Sequence, residues 1–154
     1  MKIRLIAVGR LKEPHWRAAC EEYLKRMRPY ADFEVVEVTD RDISRDRARA
    51  MDEEGADILR VLPDRTHVVA LDAAGRQLSS EGLSAWMAQR MIDGGSDIAF
   101  VIGGSAGLAP DVLARADEHL SLGPMTLPHQ LARVVLVEQV YRAFRIMRGE
   151  PYHL

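Results

Sequence analysis

Along this chain the spacing of apolar residues switches back and forth between a period of two and a period of three to four. Residues Lys2–Val8 form an apolar, β-branched run closing on Gly9, the pattern of a well-buried first strand. Pro14 then opens a helix. Its Trp16, Ala19, Cys20, Tyr23, Leu24 and Met27 recur at three and four, the charges lie outside that stripe, and Pro29 ends it. Residues 33–38 alternate Phe33, Val35 and Val36 with Glu34 and Glu37, which predicts a second strand at an edge or with one wetter face. Residues 45–62 follow a polar connection and predict a helix whose mixed charges read as a solvated face, with Gly55 as its weak point. Residues 67–71 (HVVAL) predict a short buried strand running into a loop at 72–75. Ser79 or Ser80 can cap a helix over 81–92, with Leu83, Trp86, Met87 and Met91 facing inward and Gly94-Gly95 closing it.

The remainder repeats the alternation. Strands at Ile98–Ile102 and 119–122 flank a short helix starting near Pro110, and a long helix covers about 128–148. Strict alternation of strands with helices argues an α/β fold with a mainly parallel sheet and helices on both faces. The last helix is apolar over more than one face, through Leu131, Val134, Val135, Leu136, Val137, Val140, Tyr141, Phe144 and Met147. A helix of that kind is central or lies at a subunit contact, so a homodimer is expected.

Composition narrows the class. A chain of 154 residues suits one domain spanning 1–154 with a proper core. The formal net charge of −2 argues against a protein that coats nucleic acid by bulk charge, so an RNA partner would have to be met by a local patch. Cys20 is the single cysteine, which leaves no intrachain disulfide and no cysteine cluster for a metal, and none is expected. No apolar run has the length of a membrane span and Met1-Lys2 leads straight into a strand, so a cytoplasmic protein without membrane contact is expected.

The candidate chemistry sits where the last strands end. Residues 103–107 and 123–128 are loops of Gly, Ser, Pro and Thr in which bare backbone can approach a ligand. In open α/β sheets ligands bind outside the carboxyl ends of the strands, so a small molecule held between these two loops is the first expectation. Residues 103–107 also fit the G-x-S-x-G pattern of a hydrolase nucleophile elbow. In an elbow the helix begins directly after the serine, whereas Gly107 and Pro110 here prolong the loop. Asp111, Asp117, His119, His129 and His153 offer triad partners without distinctive spacing. A serine esterase using Ser105 and a purely structural turn both remain open at this point.

Two stretches carry a resemblance. FVIGGSAGL, followed by LSLGPMTLPHQLARVVLVEQVYRAFRIMRGEPYH, resembles the SPOUT-class ribosomal RNA large subunit methyltransferase H (RlmH) family, and AVGRLKEPHW and SSEGLS extend the likeness over nearly the whole chain. The resemblance implies a C-terminal trefoil knot that holds S-adenosyl-L-methionine. It also implies methyl transfer to N3 of a pseudouridine in helix 69 of 23S ribosomal RNA within the assembled ribosome. Carried over by position, cofactor contacts fall on Leu71, Gly103, Gly104, Leu122, Gly123, Pro124, Met125, Thr126 and Leu127. The family's tail lies at the dimer's active site, which makes Tyr152 and His153 the catalytic candidates, with Arg142 as a further cation for the base or a phosphate. Leu154 stands where relatives commonly carry Lys or Arg, so a terminal positive charge on RNA is not expected of this chain. A non-catalytic ribosome-associated binding module that keeps the pocket only as structure is the remaining alternative.

Overall fold

A computed structural model describes residues 1–95 and 97–152. Five strands alternate with five helices: β1 (Lys2–Val8), α1 (Pro14–Met27), β2 (Asp32–Val38), α2 (Arg47–Val61), β3 (His67–Gln77), α3 (Ser80–Ile92), β4 (Ile98–Ile102), α4 (Pro110–Arg115), β5 (Glu118–Ser121) and α5 (His129–Met147). The strands form one sheet in the order β2-β1-β4-β3-β5, and every neighbouring pair is parallel.

Alternate side chains of each strand feed two cores. Ile3, Leu5, Phe100 and Ile102 pack with α1, α3 and α5, while Ile6, Val8, Val68 and Val101 pack with α2 and α4. The central strand β4 is buried along its whole length, as a parallel strand covered on both faces must be. The edge strand β2 alternates in exposure, as its sequence predicts. α5 lies on its face of the sheet with α1 and α3 against it, so Leu136, Val137, Val140 and Phe144 are covered within one chain. Leu131, Val134 and Val135 stay half-buried.

Four local expectations are corrected. The 72–75 segment is not a loop beyond a short strand: β3 continues to Gln77, and both Leu71 and Arg76 face Leu120 across an irregularity that bulges the residues between them. Gly75 permits this, because a Cβ there would lie 2.6 Å from the backbone carbonyl carbon of His119. Gly55 is not a weak point in α2 but a contact, since a Cβ there would meet that of Ala109 at 2.7 Å. The charged face of α2 is not wholly solvated, because Glu54 is 3% exposed. Met91, expected inward, is 46% exposed, as α3 turns inward through Leu83, Ser84 and Met87, with Trp86 half-buried against the same core.

Candidate active site

The irregular middle of β3 and the carboxyl ends of β4 and β5 deliver three stretches of backbone to one place. After β4, Gly103 passes so close to the returning loop that a Cβ on it would lie 2.7 Å from the carbonyl carbon of Gly107. A tight turn follows, closed by the Gly107 N–H donating to the Gly104 carbonyl at 3.0 Å, and Gly107 takes a φ of +85°. After β5, the Gly123 N–H donates to the Ser121 hydroxyl oxygen at 3.1 Å while Gly123 takes a φ of +121°. That bond turns the 123–128 segment back toward β3.

Between these loops lies a cavity of about 260 Å³. Its lining includes every residue that the resemblance marks for the cofactor: Leu71, Gly103, Gly104, Leu122, Gly123, Pro124, Met125, Thr126 and Leu127. Met125 stands at its mouth, 83% exposed. The first turn of α5 closes the far side through His129 and Ala132, and that helix starts without a side-chain cap, leaving its first N–H groups unpaired by a cap residue.

One acid enters this lining, and sequence reasoning did not single it out. Asp72 accepts from the His119 ring Nδ1 at 3.0 Å and from the Ala74 N–H at 3.1 Å, and these bonds hold its carboxyl below the ordinary carboxylate range. The His119 Nε2 lies 3.1 Å from the Leu113 carbonyl, so the imidazole ties the ends of β3 and β5 to α4. Behind the glycine loop sits Glu54, also unforeseen. One of its oxygens accepts the Arg41 N–H at 3.0 Å; the other is buried with no partner among the described residues and would lie 3.3 Å from a Cβ placed on Gly104. Burial pushes its carboxyl above the usual value. Neither acid has a sequence signature, because each is singled out by what folds against it.

The tail residues lie elsewhere in the chain. Tyr152 donates to Glu138 Oε1 at 3.2 Å, and Arg142 donates to the same oxygen through Nε at 3.0 Å and Nη2 at 2.7 Å. The Arg142 guanidinium lies over the Tyr152 ring at 4.6 Å, and Tyr141 meets that ring edge-on at 5.0 Å. Burial, helped by the Glu138 charge, pushes the Tyr152 phenol up to about 12. Neither Tyr152 nor Arg142 lines the glycine cavity of its own chain. His153 lies outside the described residues.

Ser105 is exposed in the turn, α4 begins only at Pro110, and among the described residues no histidine bonds to its hydroxyl. The serine-nucleophile geometry is therefore not assembled there. No group of His, Cys, Asp and Glu among the described residues is arranged to hold a metal, and no described helix is long and apolar enough to cross a membrane.

Two comparisons fit this architecture. A family model described as "Predicted SPOUT methyltransferase" matches residues 1–153. Among solved structures, a probable methylase family protein from Haemophilus influenzae Rd KW20 is similar with a TM-score of 0.58, at 13% identity, over 99% of this chain and 70% of that one; at such identity the likeness is one of fold. A parallel sheet ending in glycine loops around one cavity, together with a family match over nearly the full length, establishes that the chain belongs to the SPOUT methyltransferase family.

Proposed function

We propose that this methyltransferase uses S-adenosyl-L-methionine to methylate N3 of a pseudouridine in helix 69 of 23S ribosomal RNA, acting as a homodimer on the assembled ribosome. The observation that carries the cofactor half is the one cavity formed by the irregular middle of β3 together with the backbone after β4 and β5. Its residues suit the group. Leu71, Leu122 and Leu127 offer an apolar slot for an adenine ring, and glycine backbone offers hydrogen-bonding edges. Asp72, kept ionised, matches ribose hydroxyls or a positive charge, while the uncapped start of α5 beside His129 favours a carboxylate. When bound, the cofactor supplies an electrophilic methyl group.

The chain's part in the transfer is placement and charge. The imide nitrogen of a uracil-like base is protonated at neutral pH, so a nearby cation or donor that stabilises its anion lowers the barrier. Arg142 has the charge. Tyr152, with its phenol held protonated, acts as a hydrogen-bond donor and not as the base. Because Tyr152 and Arg142 sit away from the cavity of their own chain, the reading assigns them, and by the resemblance His153, to the cavity of a second subunit. The knot and the RNA target rest on the resemblance of the C-terminal third of the sequence. The net charge of −2 supports a substrate whose shape the whole ribosome supplies, since bulk charge alone attracts little RNA.

Mass spectrometry of 23S ribosomal RNA from cells with and without this protein tests the target: one methyl on one helix 69 pseudouridine disappears with the gene. An unchanged RNA overturns the substrate. Calorimetry with S-adenosylhomocysteine tests the cavity, and sedimentation of the purified protein as a lone monomer overturns the dimer.

A further inference from the structure

The first turns of α5 separate two cavities. Ala132 lines the glycine cavity, and the next residue, Arg133, lines a second one of about 540 Å³ on the side of α1 and β2. The walls of this second space are largely apolar, formed by Cys20 and Leu24 of α1, Val35 of β2 and Val137 of α5. Four cations line it against two acids, Glu21 and Glu37, in a chain whose net charge is −2.

The cations are arranged, not scattered. Arg133 is 3% exposed, donates to Glu37 Oε2 at 2.6 Å and to the Gly9 carbonyl at 2.9 Å, and keeps a buried Nε without a partner among the described residues. Glu37 is thus engaged, and its charge is offset. Arg17 donates to the carbonyls of Leu11 and Lys12 at 3.4 and 3.1 Å and so pins the loop between β1 and α1. That loop carries Arg10 and Lys12, both exposed, and neither has an ion-pair partner among the described residues. A buried guanidinium with a spare donor, apolar walls and an unpaired cationic rim describe a place for a flat, weakly polar ring attached to anions. A nucleotide is such a ligand.

We propose that this cavity receives a nucleotide of the RNA substrate close to the methylated base, with its base or ribose against Leu24, Val35 and Val137 and its phosphates on Arg10 and Lys12. The inference rests on RNA being the substrate. It places the acceptor strand across the start of α5, with one nucleotide on each side of the Ala132–Arg133 step. A second protein copy is the competing occupant, and the oligomeric state measured below separates it from a nucleotide.

The test uses the full-length protein and a short single-stranded RNA oligonucleotide, with inorganic phosphate as the control ligand. Binding is followed across salt concentrations for wild type and for the Arg10→Gln/Lys12→Gln double variant. Loss of two phosphate contacts is expected to weaken oligonucleotide binding about tenfold at low salt and to flatten the slope of log affinity against log salt by about 1.4. Affinity for S-adenosylhomocysteine should stay at the wild-type value. Leu24→Phe narrows the cavity without altering charge, and it is expected to weaken the oligonucleotide several-fold at an unchanged salt slope. Equal oligonucleotide binding and equal slope in all three proteins overturn the inference. So does competition by inorganic phosphate as effective as by RNA, or a changed oligomeric state with RNA binding intact. If ribosomal RNA is unmethylated by the wild type while the oligonucleotide results hold, the proposed reaction fails and the nucleotide subsite stands.

Discussion

The glycine cavity and the aromatic cluster at the end of α5 are built in opposite ways. In the cavity the hydrogen-bonding groups are mostly main chain, its lining holds one acid, Asp72, and the walls are leucines and a mouth-side methionine. In the cluster the polar atoms are side chains, and they bond one another: one oxygen of Glu138 takes the Tyr152 hydroxyl and the Nε and Nη2 donors of Arg142, with aromatic rings packed around them. Backbone edges set by strand ends need no side-chain rearrangement to meet a ligand. The groups of the cluster must exchange an internal partner for an external one. The first region is therefore preformed, whereas on the reading proposed above the second would act only once substrate, or a second subunit, displaces Glu138.

The largest expected effect comes from filling the cavity's tightest point. In Gly103→Val the new Cβ falls 2.7 Å from the Gly107 carbonyl carbon, so the loop must move out of place, and affinity for S-adenosylhomocysteine is expected to fall about a hundredfold in a calorimetric titration. Near-normal affinity would mean that this close approach is not what shapes the cavity.

Next comes the other region. Tyr152→Phe removes a donor and leaves the ring, so kcat for methyl transfer should fall about tenfold while cofactor affinity is unchanged. If affinity falls instead, the cluster is part of the cavity and the contrast is lost. The pH profile sharpens this. With the phenol raised to about 12, the hydroxyl is a donor throughout the neutral range, and that donor is lost only as pH rises through about 12. No tyrosine-dependent limb should therefore be visible below about pH 10, the ordinary value.

A smaller effect is expected behind the glycine loop. Glu54 resists ionisation in the folded chain, so the folded state holds its proton above the ordinary carboxylate value of about 4.3, and stability falls as pH rises from there through the raised value. Glu54→Gln keeps an acceptor for the Arg41 N–H and removes the titration. Thermal melts of the variant should gain a few degrees on wild type at neutral pH relative to the difference near pH 4. Ser105→Ala should change nothing: it is exposed in the turn, and methyl transfer at the wild-type rate, with no fluorophosphonate labelling of either protein, is the expected result.

Much of this was legible along the chain. Periodicity placed all ten elements because burial on both faces forces continuous apolar runs in β4, while helices packed on one side show their stripe, as α1 does. The loops that line the cavity were legible because glycine at Gly103 and Gly123 marks backbone that must pass closely or turn left-handed. The extension of β3 was hidden, since the bulge over 72–75 depends on how a four-residue strand, β5, runs beside it. Asp72 and Glu54 were hidden for a related reason. An acid in a polar stretch looks the same whether it faces water or a folded neighbour, and only His119 and the Gly104 loop distinguish these two.

By itself, then, the sequence determined the alternation of elements, the two-faced parallel sheet and the positions where bare backbone lines a cavity, because these follow from side-chain size and polarity within a few residues. Only the tertiary structure decided which three stretches of backbone converge, that Tyr152 folds onto the Glu138–Arg142 pair away from them, and that a second, cation-rimmed cavity opens beside Arg133. Those arrangements join residues from 14 to 124 positions apart. They depend on strand order and helix packing, which no local pattern encodes.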